Sequence, residues 1–231
     1  MTEQQVPKLV ASLVEHQNAF VALPTEDAQW VIQNTVAAIG LFITALKNRG
    51  GQVAEEVMQV VKRVLTPFMT IPTGATTKDG LVSDIEVMPS EVASYAKSMM
   101  ENEAFTISKE EGRADLVSLS IAELGLTEKP RTDEFMTAEF CEGWSAKHLD
   151  GQVIELCQPE DGPQLRKQWK DQPKGTTVWL AMERITVSGG GPCVWRVGRD
   201  SDGKRWLRGD WAGPGARWVQ GNHIVFRLRK I

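Results

Sequence analysis

Apolar residues recur at helical intervals through the first third of the chain and then switch to alternation. In "VPKLVASLVEHQNAFVAL" the residues Leu9, Leu13, Val14 and Phe20 fall on one helical face. "LPTEDAQWVIQNTVAAIGLFITALKNRGG" predicts a second helix with Thr25 as its N-cap. Glu26 and Asp27 fill its acidic first turn, and Trp30, Ile39 and Phe42 lie on its apolar side. Lys47 and Arg49 sit near its end, which Gly50-Gly51 terminates. "QVAEEVMQVVKRVLTPFM" predicts a third helix, striped by Val53, Val57, Val60, Val61 and Val64 and ended by Pro67. Short loops between the three predict a helical bundle over residues 1–72. The second helix is apolar nearly all round and needs cover. Leu41, Phe42 and Leu46 are therefore candidate homo-oligomer contacts.

The Thr-, Gly- and Lys-rich segment at 73–80 reads as a linker. Residues 81–231 then read as an α+β domain, with a sub-boundary near 130. Phe105 and Ile107, followed by Val117, Leu119 and Ile121, predict a hairpin around a charged turn. Thr132 is placed to cap a helix through "DEFMTAEFCEGWSAKH", and "VIELC" predicts a short strand. "GPQLRKQWKDQPKG" predicts a brief helix stopped by Pro173. "TTVWLAMERITV" reads as one strand. "GGGPCVWRVGRDSDGKRWLRGDW" reads as a hairpin turning on the two-residue pair Asp202-Gly203. "HIVFRLRK" is a last strand, with Ile224, Phe226 and Leu228 on one side. The fold class expected is α+β: an N-terminal helical bundle followed by a small antiparallel β-sheet domain with one or two helices.

Composition narrows the function classes. The chain has 231 residues, 42% hydrophobic and 24% charged, with a net charge of −4. That is the profile of an ordinary globular protein. No leader pattern opens it, and its most apolar run is broken by Gln33 and Asn34, so neither a secretory signal nor a membrane span is expected. Cys141, Cys157 and Cys193 are widely spaced, which predicts reduced thiols in a cytoplasmic protein. His16, His148 and His223 show no metal-ligand spacing. "RDSDGKRW" lacks the terminal carboxylate of a calcium loop, and "SGGGP" lacks the Lys-Ser/Thr of a phosphate loop. Neither a metal nor a cofactor is expected. Cys141 and His148 stand too far apart on their helix to pair, whereas Cys193 and His223 lie on strands that could be neighbours.

Charge is unevenly distributed. From Gln164 onward fourteen Lys and Arg face only five Asp and Glu. "RDSDGKRWLRGDWAGPGARW" concentrates three tryptophans and five basic residues within that part. Indole beside guanidinium can bind a partner by stacking, or can close a sheet edge by stacking on itself. The candidate partner-binding residues are Arg205, Trp206, Arg208, Trp211, Arg217 and Trp218. The expected function is a non-enzymatic interaction or scaffold protein whose basic, Trp-rich C-terminal sheet binds a protein or acidic partner. The alternatives are nucleic-acid binding by the same face and an enzyme with a site assembled in space.

The segments "DAQWVIQN" and "GPQLR" through "FRLRK" resemble those of a group of uncharacterised bacterial proteins with no established activity. That resemblance implies a modular architecture and supplies no functional residues.

Overall fold

The computed structural model describes residues 62–126 and 129–231. The helices expected before residue 62, with Leu41, Phe42 and Leu46, lie outside the described residues. Residues 62–67 form no helix. Instead Arg63 bridges Leu149 in parallel, and the Gln152 side chain brackets Leu65, accepting from its N–H at 2.6 Å and donating to its carbonyl at 2.9 Å. A side-chain amide presents a donor and an acceptor together, so it can satisfy a residue that no strand reaches.

The described residues from Arg63 to Ile231 form one unit, built on a sheet of nine strands. The strands are β1 (Met69–Thr73), β2 (Glu91–Val92), β3 (Gly112–Ser120), β4 (Gln152–Glu155), β5 (Thr176–Leu180), β6 (Ile185–Val187), β7 (Gly191–Arg199), β8 (Arg205–Trp211) and β9 (His223–Lys230). Their order is β1-β3-β9-β5-β7-β8-β2, with β4 also on β9 and β6 also on β7. Five helices accompany them: α1 (Lys78–Glu86), α2 (Ser94–Glu101), α3 (Thr132–Phe135), α4 (Ala138–His148) and α5 (Asp161–Gln168).

This corrects the expected fold class. The sheet is large, curled into a half-barrel and mixed, where a small antiparallel sheet with one or two helices was expected. The β2–β8 and β5–β9 pairs are parallel. Alternation reveals which residues share a strand face but not which strand lies alongside. Two further expectations change for local reasons. Phe105 and Ile107 lie in a loop, and β3 pairs with β1 and β9 instead. The run 176–187 divides into β5 and β6, because Met182 leaves β7 to bridge Cys157 before the chain returns to β7 at Ile185.

The β7–β8 hairpin forms as the pattern predicts, with one change of register. The Asp200 N–H donates to the Lys204 carbonyl at 2.8 Å, and Gly203 takes φ of 100°. The loop therefore holds three residues, a Gly-requiring form, and not two. Arg199 then stands opposite Arg205, and Arg196 opposite Arg208.

Apolar strand residues decide how the helices pack. Trp195, Val197 and Leu207 point to one face of the hairpin and are fully buried there. Leu165, Phe105, Leu81 and Ile85 join them in the core, and the Trp195 Nε1 donates to the Pro159 carbonyl at 2.6 Å. Met99 of α2 meets the bare backbone of Gly209 on the same face. Burying an indole removes a large apolar area from water, and its N–H is satisfied by a backbone carbonyl.

Candidate functional site

The indoles of the C-terminal sheet are mostly spent on packing. Trp206 is 3% exposed and lies across Gly198, where a Cβ would come within 2.0 Å of its ring. Arg196 and Arg208 cover that ring at 5.3 and 4.4 Å, and Arg196 also covers Trp179 at 4.7 Å. The ladder is neutralised at close range. Arg196 pairs with Asp210 at 3.5 Å, and Arg208 with Glu91 at 3.4 Å. Lys204 pairs with Glu91 too, and the hydrogen bond and charge of Lys204 hold that carboxylate below its ordinary pKa. Trp218 is buried against Phe135 and Trp179, and its Nε1 donates to Thr132 Oγ1 at 2.9 Å.

The six candidate residues thus do not form one surface. Trp206 and Trp218 are interior, and Arg208 belongs to the neutral ladder. Trp211 is 58% exposed at the far end of β8. Arg217 is exposed and donates to the Lys129 carbonyl at 3.0 Å. Arg205 lies on the helix-packed face of the hairpin, in register with Arg199.

Arg205 leads to a second arginine arrangement. Behind it and Arg199 stands Arg166 of α5, which is fully buried. The three guanidiniums hold the loop that follows α5. Arg166 donates to Gln172 Oε1 at 2.6 Å, to the Gly198 carbonyl at 3.1 Å and to the Trp169 carbonyl at 2.5 Å. Arg199 donates to the Gln172 carbonyl at 2.8 Å, and Arg205 to the Lys170 carbonyl at 3.4 Å. Carbonyls past a helix C-terminus carry negative partial charge, so cations suit them. Carbonyls answer hydrogen-bonding groups but leave net charge unanswered. Among the described residues none of the three arginines has a carboxylate within ion-pair distance, and the buried Arg166 Nε has no partner. Burial, then the charges of Arg205 and Arg199, push the Arg166 pKa down to about 10. Lys174 adds a fourth cation. Its Nζ and Arg199 Nη2 each lie 3.6 Å from the point a Cβ on Gly203 would occupy.

The same loop walls an aromatic groove of roughly 490 Å³ at the start of β5 and β9. Phe68, Trp169, Pro173 and Val178 supply its apolar sides, and Ser118, Thr176, Asn222 and His223 its polar groups; the indole of Trp179 is turned to the opposite face, under Arg196. Phe68 and Trp169 are tilted against each other at 5.0 Å. Thr176 is the register partner of Arg199, which places the groove one strand away from the cation cluster.

A larger cleft of about 660 Å³ opens where the sheet forks. β4 and β5 approach each other along one edge of β9, and their continuations leave it together through the Cys157–Met182 bridge. Two of its arginines are paired. Arg227 grips the fully buried Asp161 through two bonds of 2.7 Å, and Arg229 pairs with Glu155 at 2.7 Å. Burial raises the Asp161 carboxyl against the pull of Arg227. Burial also pushes the Cys141 thiol up to about 12 and Cys157 well above its ordinary range, the reverse of nucleophile activation. Cys193 and His223 are held apart by β5, which lies between β7 and β9. Among the described residues no group of three or more His, Cys, Asp or Glu could hold a metal ion, and no helix is long and apolar enough to cross a membrane.

Arg166, Arg199, Lys174 and the groove residues were not among the sequence candidates. The signal for Arg199 was the hairpin register, since only a three-residue loop brings it opposite Arg205; nothing in the sequence pattern marked the others. Comparison with protein-family models, with curated proteins and with solved structures returned no match.

Proposed function

We propose that the sheet unit is a non-enzymatic binding module and that its basic C-terminal hairpin takes an acidic partner at the Arg199–Arg205–Lys174 cluster. One observation carries the reading: cations converge around a buried guanidinium with no carboxylate among them. Like charges directly across a strand pair repel, and a buried charge without a counter-charge is costly. An oxyanion seated on these groups relieves both penalties through charge-assisted hydrogen bonds. Arg199 and Arg205 are half-buried and Lys174 is exposed, so their free donors are within reach of a ligand. The three free thiols fit a reducing, cytoplasmic compartment.

The test is titration of the full chain with inorganic phosphate by calorimetry at low and moderate salt. Binding should weaken as salt rises. Arg205→Ala and Lys174→Ala should each lower affinity about tenfold, the worth of one charge-assisted hydrogen bond. Arg208→Ala, on the neutral ladder, should leave it unchanged. Absence of phosphate binding at low salt would overturn the reading.

A further inference from the structure

Lys174 lies between two residues, Pro173 and Gly175, that line the aromatic groove, while its ammonium reaches the hairpin beside Arg199. Trp169 joins the two places as well. Its indole walls the groove, and its carbonyl is held by Arg166. A flat apolar recess and a cationic cluster therefore share a single loop.

We infer that the ligand of this site is a nucleotide, with its base in the groove of Phe68 and Trp169 and its phosphate on Arg199, Arg205 and Lys174. The inference rests on the anion-binding reading and adds the chemical class of the ligand. Aromatic walls suit a planar ring, because every nucleobase offers a π-face for stacking. The polar groups of the groove suit the edge of such a ring. Ser118 carries a hydroxyl, the Thr176 hydroxyl donates to the Pro173 carbonyl and can still accept, and Asn222 accepts from the Val219 N–H and keeps its amide donors. A heteroatom-rich base can use the remaining donors and acceptors, which a plain phenyl ring cannot. Arg199 stands one strand spacing to the side of β5 and Arg205 one further, the direction in which a phosphate joined to the base through a sugar would extend.

The groove is also held in shape before any ligand arrives. Arg166, Arg199 and Arg205 fix carbonyls of the loop at Trp169, Gln172 and Lys170, so little loop ordering remains to oppose binding.

The test compares four probes on the full chain by calorimetry: inorganic phosphate, adenosine, adenosine 5′-monophosphate and a short single-stranded oligonucleotide. The monophosphate should bind about tenfold or more tighter than phosphate, the worth of one stacked base. Trp169→Leu should bring the monophosphate down to the level of phosphate and leave phosphate itself unchanged. Arg205→Ala should lower the monophosphate about tenfold and leave adenosine unchanged. An oligonucleotide binding more tightly than the monophosphate assigns the source to a single strand, and equal binding assigns it to a free nucleotide; either result supports the inference. Equal affinities of unmodified protein for phosphate and monophosphate would overturn it and leave the anion site standing, independent of how the variants fold. Failure of both probes to bind would instead remove the anion site itself.

Discussion

The two arginine pairs of the β7–β8 hairpin stand on opposite faces of the same two strands. Arg196 and Arg208 flank Trp206, and Asp210 and Glu91 balance them. Arg199 and Arg205 stand before the buried Arg166, and among the described residues only carbonyls answer them. Both pairs set like charges directly across a ladder, which by itself is unfavourable. On one face stacking and carboxylates remove the penalty. On the other face it persists, and that is where a ligand has something to gain. Counting basic residues or tryptophans does not separate the two faces; tracing the counter-charges does.

The largest expected effect tests the ladder as a packing device. Trp206→Ala should destabilise the protein by about 3–5 kcal/mol in chemical denaturation, the usual cost of emptying an indole site. The bare Gly198 is fitted to that ring, so Gly198→Ala should also be destabilising, by about 1–3 kcal/mol through overpacking. A loss below about 1 kcal/mol for Trp206→Ala would mean that the stack is superficial. Next comes the buried member of the other face. Arg166→Met keeps much of the volume but leaves the Trp169 and Gly198 carbonyls and Gln172 Oε1 without their donor. That should cost about 2 kcal/mol. It should also loosen the loop and abolish phosphate binding. Arg166→Met with unchanged ligand affinity would show that the loop does not need its latch.

How much of this contrast could be read from the sequence turns on one residue of register. Alternation located β7, β8 and β9, and the Asp-Gly pair located the turn. A two-residue loop would have set Arg199 opposite Trp206. The three-residue loop shifts the pairing by one, which carries every side chain's partner with it. Tryptophan burial was out of reach for another reason. Trp206 disappears beneath its hairpin neighbours Arg196 and Arg208, whose side chains alternation alone leaves free to turn to solvent, and Trp218 beneath Phe135, which is far away in sequence. The groove joins Phe68, Trp169, Val178 and His223, and only the parallel β5–β9 pairing brings the last two side by side. Periodicity carries no information about such pairings.

A smaller effect separates both arginine faces from the titrating groups. Arginines keep their charge across the neutral range, so neither face should change stability between about pH 7.5 and 5.5. His148 should. It stacks on Trp144 at 5.0 Å, and burial, then the charges of Lys147 and Arg63, lower its pKa. The folded state therefore holds it neutral where the unfolded chain protonates near the ordinary value of about 6.5. Stability is fully present above that value and falls as pH drops from it toward the folded value. Urea midpoints at the two pH values should show the fall, and His148→Gln should flatten it. A slope that survives His148→Gln would place the proton uptake elsewhere.

The smallest effect is the sharpest, because it is one of sign. Arg208→Ala removes a cation that stacks on Trp206 and pairs with Glu91, so it should destabilise, by less than about 1 kcal/mol for a half-exposed group. Arg205→Ala removes a cation whose charged neighbours are Arg199 and Arg166 and whose one hydrogen bond, to Lys170, is long at 3.4 Å. Without ligand, that change should be neutral or stabilising by up to about 0.5 kcal/mol, through relief of cross-strand repulsion. Added salt screens attraction and repulsion alike, so it should draw the two variants toward each other. Saturating phosphate should act the other way and stabilise the unmodified protein while leaving Arg205→Ala behind. The measurement is a pair of denaturation curves at low salt, each repeated with salt and with phosphate. If Arg205→Ala destabilises as much as Arg208→Ala in all three conditions, the two faces are equivalent structural devices and the uncompensated charge has no bearing on binding.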